Sequence, residues 1–223
     1  LPASGSRAEE STRVELVCVR HGRTAWNAER RFQGRTDIPL DDEGRAQARA
    51  LAVHLQRERF DVAIASDLTR AFTTALGIGA ASGVTVEAEP RLREMRFGRW
   101  EGLTWDEIVA QTPALANASP TSPRSFVPDG GESLDEVAER VRPVLAELTA
   151  RLRPDGRALV VSHAGIMHAL LRVALDESDE RALGISFLPA SIMRLAGDGS
   201  LPWRLECFNE IAPPLADCAP APP

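Results

Sequence analysis

Apolar residues recur along this chain with two alternating periods. Residues 14–19, VELVCV, form a near-continuous apolar run of strand length. From Glu43 to Phe60 the spacing changes, and Ala48, Leu51, Ala52 and Leu55 fall on one side of a predicted helix. Residues 61–66, DVAIAS, read as a second strand, and 68–81 as a helix with Leu68, Phe72 and Ala75 on one stripe. A third, shorter strand is predicted over 84–89. Periodicity then lapses over 92–130. Within it, Thr104 to Glu107 has the form of a capping box opening a short helix that Pro113 ends, and Pro120, Pro123 and Pro128 punctuate a loop. A second capping box, Ser133 to Glu136, starts the longest helix, with Leu134, Val137, Ala138, Val141, Leu145, Leu148 and Leu152 on one face. Residues 157–162, RALVVS, have the unbroken apolar character of a central parallel strand. A helix over 165–175 and a hairpin turning at Gly197 to Ser200 complete the pattern.

Strands alternating with helices predict an α/β three-layer sandwich, with a mostly parallel central sheet and helices on both faces. Such sheets bind ligands at the carboxyl ends of their strands. The pattern implies one domain over 13–210, with a cap region at about 92–130. A small-residue, polar N-terminal tail (1–12) and a proline-rich C-terminal tail (211–223) flank it.

Charge and cysteine content narrow the partners. A formal net charge of −6 argues against nucleic acid, which needs a broad basic face. Cys18, Cys207 and Cys218 form no paired motif, so a reducing, cytoplasmic setting is expected. The N-terminus lacks the apolar core of a signal peptide, and the most apolar stretch is broken by two histidines and an arginine, so no membrane association is expected. The oligomeric expectation is a monomer or a homodimer.

Three polar clusters stand at the strand ends that the sheet rule singles out. Arg20 and His21 close the first strand, Arg70 lies in the first helical turn after the second, and His163 follows the central strand and opens a helix. If those strands are neighbours, two guanidiniums, two imidazoles and a helix N-terminus meet at an anion site suited to phosphate. A lone histidine or arginine in such a position is as well explained by a structural hydrogen bond; agreement among three strand ends is what favours a site.

The segments VRHGRTAWN, SDLTRAFTTA, LREMRFGRWEG, GGES and VVSHAG occur in the order and approximate spacing of the histidine phosphatase superfamily. The resemblance spans about Val14 to Asn209 and implies a phosphoglycerate-mutase-like fold. It further implies a phosphoric monoester hydrolase acting on a small phosphorylated metabolite through a phosphohistidine, with no metal or other cofactor. In that reading His21 is the nucleophile and Glu94 the proton donor. Arg20, Arg70 and a protonated His163 form the phosphate pocket, to which Asn27 adds a contact. Gln33 and Gly34 either border the substrate or hold their loop. Ala164, beside His163, lines the substrate site, and Glu101 is the rival carboxylate. Trp100 and Trp105 are read as core or cap packing, and His168 as facing away from the phosphate; His54 is assigned nothing. Protonation of both Glu94 and His163 implies a pH optimum somewhat below neutral.

Two departures stand out. Arg23 takes a place where relatives carry glutamate or glutamine, and is expected to favour substrates with additional negative charge. Ala164 replaces a common glycine, which is mild if the backbone there is not left-handed. Only 36 residues separate Glu94 from Gly131, a short cap that admits water and favours hydrolysis over phosphoglycerate-type mutase chemistry. Two alternatives of other classes are a non-catalytic phosphate-binding module and a metal-dependent hydrolase. The four histidines lack the spacing of a metal-ligand set, and simple binding needs neither a nucleophile nor an acid.

Overall fold

The first strand, β1 (Val14–Arg20), is buried on both faces, and its side chains divide between two cores. Leu16 and Cys18 join one cluster, Val17 and Val19 the other. The same division holds for β2 (Val62–Ala65), with Val62 and Ile64 against Ala63 and Ala65. It holds again for β4 (Arg157–Ser162), with Ala158 and Val160 against Leu159 and Val161. A period-two backbone with apolar groups on both sides demands cover on both faces. Helices α2 (Asp42–Leu55) and α3 (Thr69–Ser82) cover one, and α5 (Leu134–Ala150) and α6 (Ala164–Ala174) the other.

This computed structural model describes residues 13–116, 127–176 and 186–215. The predicted tail at 1–12, the end of the C-terminal tail from 216, and Pro120 and Pro123 of the cap loop lie outside the described residues. The sheet has six strands in the order β3-β2-β4-β1-β5-β6, where β3 is Val86–Ala88, β5 is Ser191–Gly197 and β6 is Arg204–Ile211. β4 enters between β1 and β2 and is parallel to both, β3 is parallel to β2, and β5 and β6 form the antiparallel closing hairpin. The sandwich is therefore the predicted one, with four parallel strands. The placement of β4 also sets the site, because Arg20 is in register with Ser162 and Ala65 with Val161, so three strand ends finish side by side.

Both predicted capping boxes are formed. Thr104 opens α4 (Trp105–Gln111), and Ser133 opens α5. Each N-cap oxygen contributes about 1 kcal/mol by satisfying an otherwise orphaned N–H. A short α-helix the periodicity passes over is α1 (Ala25–Ala28), capped by Thr24 and Asn27. Its four residues are too few to show a period. α2 stops at Leu55 rather than Phe60, and β3 is shorter than predicted, being an edge strand paired only with β2. A satellite core of Trp100, Ile108 and Leu115, flanked by Phe32, Phe97 and Trp105, roofs the sheet edge where the strand ends meet. No helix among the described residues is long and apolar enough to cross a membrane.

Candidate active site

The C-terminal edge of β1, β4 and β2 carries the site. The His21 peptide N–H donates to the Ser162 carbonyl at 2.9 Å, which extends the β1–β4 ladder by one residue. The imidazole Nδ1 lies 2.7 Å from the Gly22 carbonyl. A carbonyl can only accept, so Nδ1 carries the proton and Nε2 holds the lone pair. His21 is only 2% exposed, and burial, with Arg70 and Arg20 nearby, pushes its pKa well below the ordinary imidazole value. The ring is therefore neutral, and its free lone pair is that of a nucleophile.

Two arginines flank it, Arg70 buried and Arg20 half-buried. Arg70, in the first turn of α3, is fully buried. Its Nη1 donates to Thr36 O at 2.9 Å, its Nη2 to Gly34 O at 2.8 Å, and its Nε to His163 Nδ1 at 3.2 Å. A guanidinium has five N–H groups, so one hydrogen on each terminal nitrogen is left for a ligand. Arg20 donates through Nη1 to the Phe187 carbonyl, while its buried Nε has no partner among the described residues. Burial pushes its pKa down to about 10, which still leaves it cationic at neutral pH. Two desolvated cations held by backbone carbonyls have little reason to be there unless an anion joins them.

Glu94 faces them from the irregular stretch after β3. Its Oε1 accepts from Met95 N at 2.9 Å and its Oε2 from Gly165 N, in the first turn of α6, at 3.3 Å. Burial raises its pKa; these amides and the two arginines pull the other way without cancelling it. A Cβ at Gly165 would sit 2.4 Å from Glu94 Oε1, so the carboxylate would have to move aside. The rival carboxylate has a different task. Glu101 accepts from Arg35 N and Phe97 N at 3.2 Å each, and from Thr36 N at 3.1 Å and Thr36 Oγ1 at 2.6 Å. It thereby clamps the loop that supplies Gly34 and Thr36 to Arg70. Gly34 is itself left-handed (φ 51°), and its predicted borderline role resolves to holding Arg70 as well as lining the cavity.

Three expectations need correction, and a fourth, for Asn27, is narrowed to one group. His163 is not a protonated phosphate donor here. Its Nδ1 accepts from Arg70, so the proton is on Nε2, which donates to Ser66 Oγ at 2.8 Å. Burial and the neighbouring cations push its pKa well down, and the ring does not reach the cavity wall. It stands 5.1 Å from the His21 ring, centroid to centroid, as the group that orients Arg70. Asn27 lines the cavity, but its Oδ1 accepts from Thr24 N and Oγ1 as half of the α1 capping box. Only its amide nitrogen remains for a phosphate. His168, read as facing away from the phosphate, lines the cavity against Phe187 at 4.9 Å, three residues past Gly165 nearly completing a helical turn. Arg23 is paired with Asp41 at 2.8 Å and forms no part of the cavity wall, so it adds no cation there.

Gln33 is buried in the cavity wall with an unpartnered Oε1, and Ala164 lines the wall in an ordinary helical backbone. Trp100 is core, as expected, whereas Trp105 both packs on it and forms part of the wall. Sequence reasoning missed Ser66, although it is the first residue of the SDLTR motif, and Phe187, which acts through its carbonyl and so leaves no side-chain signal. The cavity is about 730 Å³; Arg20, His21, Arg70 and Glu94 line it together with the aromatic rings of Trp26, Phe32, Phe97, Trp105 and Phe187 and the charged side chains of Glu29, Arg30, Arg31 and Asp106.

Comparison with known proteins agrees with this arrangement. The model of the histidine phosphatase superfamily (branch 1) matches residues 16–211. The chain is 36% identical to the glucosyl-3-phosphoglycerate phosphatase of Mycobacterium tuberculosis, over 91% of this chain and 97% of that one. It is also 36% identical to a metal-independent phosphoserine phosphatase of Arabidopsis thaliana, over 79% of this chain and 76% of the relative. The native structure of mycobacterial glucosyl-3-phosphoglycerate phosphatase superposes with a TM-score of 0.81 at 35% identity, covering 88% of this chain and 99% of the other. With its strand-end histidine, its paired arginines and a match along nearly the whole described sheet, the chain belongs to the histidine phosphatase superfamily and is a phosphoric monoester hydrolase of that family.

Proposed function

We propose that the chain hydrolyses a small phosphorylated metabolite in two displacements at His21, with Glu94 carrying the proton. In the first, the Nε2 lone pair attacks phosphorus and forms the N–P bond as the P–O bond to the leaving group breaks. Glu94, protonated at the start, gives its proton to the departing oxygen. In the second, Glu94 takes a proton from water as the water oxygen attacks phosphorus, and inorganic phosphate leaves His21. Arg20 and the two free hydrogens of Arg70 neutralise the equatorial oxygens, and each such donor in a dry site is worth about 3 to 4 kcal/mol of transition-state stabilisation. His163 orients Arg70. The observation that carries this reading is the Nδ1–H to Gly22 carbonyl bond, which leaves Nε2 unprotonated between two cations and opposite a carboxyl of raised pKa.

The substrate proposed is a phosphoester with a bulky leaving group, of the glycosylated phosphoglycerate type. A cavity of about 730 Å³ whose wall combines aromatic rings with the charged Glu29, Arg30, Arg31 and Asp106 supports it, as does the near full-length match to a glucosyl-3-phosphoglycerate phosphatase. The proton-transfer roles are tested with Glu94→Gln. Turnover of an alkyl phosphate falls by roughly 10²- to 10⁴-fold, the usual range for losing an acid–base group. With p-nitrophenyl phosphate, whose leaving group needs no proton, a burst of one nitrophenol per enzyme persists and then stalls. Equal loss on both substrates, burst included, removes Glu94 from the acid role.

A further inference from the structure

We propose that Glu132, of the GGES segment, is the positioning residue that holds the Glu94 carboxyl over the phosphoryl site. Glu132 is 6% exposed and lines no part of the cavity, so it does not touch substrate. Its carboxylate gathers Arg35 Nη2 at 3.0 Å, Arg140 Nη2 at 3.1 Å and the backbone N–H of Arg96 at 2.9 Å, and its own N–H donates to Arg96 O at 2.9 Å. The two guanidiniums then reach the segment that carries the acid. Arg140 donates to the carbonyls of Arg91 and Arg93, and Arg35 Nε to the carbonyl of Glu94 at 3.4 Å. Positions 91, 93, 94 and 96 of this irregular stretch are thereby anchored, and Ser162 Oγ adds a fifth contact on the Leu92 carbonyl at 2.7 Å.

The charge is essential to this device. Arg35, Arg96 and Arg140 converge on one carboxylate, and Glu132 is the anion that offsets their mutual repulsion at Arg35. With that charge removed, Arg35 and Arg140 repel and the clamps on the Glu94 segment loosen. His21, Arg20 and Arg70 are held by other partners and stay in place.

This inference rests on the reading of Glu94 as the general acid, and the test separates the two. Glu132→Gln and Arg140→Met are assayed beside Glu94→Gln on glycerol 3-phosphate and on p-nitrophenyl phosphate. Both variants are expected to lower kcat on glycerol phosphate by roughly ten- to a hundred-fold, the scale of a displaced catalytic group, with KM changed less than about two-fold. The nitrophenol burst rate is expected to hold within about two-fold, because that step needs no acid. A fall of equal size on both substrates, or none on either, overturns the proposal in favour of a purely structural Glu132. If Glu132→Gln does not fold, Arg140→Met carries the same comparison. If Glu94→Gln itself fails to distinguish the substrates, the reading of Glu94 fails; if it does and the other two do not, only the positioning role fails.

Discussion

At the scale of single residues, chemistry is decided by which atom holds the proton. Burial and two arginines keep His21 neutral well below the pH at which an ordinary imidazole would charge, while burial keeps the Glu94 proton bound above the ordinary glutamate range. The nucleophile is therefore ready on the acid side, and the acid is lost as pH rises through the elevated pKa of Glu94. The expected kcat profile has no inflection from His21 near the usual imidazole pKa and declines on the alkaline side, and the decline disappears in Glu94→Gln. A wild-type rate still climbing above about pH 8 would contradict the assignment. The identities of these residues were legible in the sequence because strand ends and a recognisable motif order place them. Their protonation was not. The tautomer of His163 depends on Ser66 and Arg70, 97 and 93 positions away, and no local pattern reports such a pair.

At the scale of elements, the start of α6 joins fold to catalysis. Its first turn offers an N–H to the Glu94 carboxylate, and Gly165 leaves room for that carboxylate to approach. Gly165→Ala is expected to preserve the helix, since alanine is the better helix former. It should push Glu94 aside and cut alkyl-phosphate turnover by about a hundred-fold. Steady-state kinetics beside circular dichroism check this; unchanged turnover would mean that Glu94 acts from another position. Helices with strong stripes or capping boxes, such as α4 and α5, were readable because their determinants are local. α1 and the exact ends of β3 were not, being too short for a period to appear.

At the scale of the whole molecule, the sheet order creates the site. The alternation of elements implied parallel strands and two helical layers, but the insertion of β4 between β1 and β2 is a long-range packing outcome that periodicity does not encode. Periodicity leaves open which strands are neighbours, and the register of Arg20 with Ser162 makes β1 and β4 adjacent. Arg23 shows the reverse failure, since it was expected to add a cation that favours more highly charged substrates and Asp41 pairs with it outside the cavity wall. The account as a whole depends on His21 presenting Nε2, and the most direct test is ³¹P NMR of the phosphoenzyme trapped with Glu94→Gln and quenched in base. The account predicts a single phosphoryl group on Nε2 of His21. A phosphoryl group on Nδ1, on another residue, or on none would contradict it.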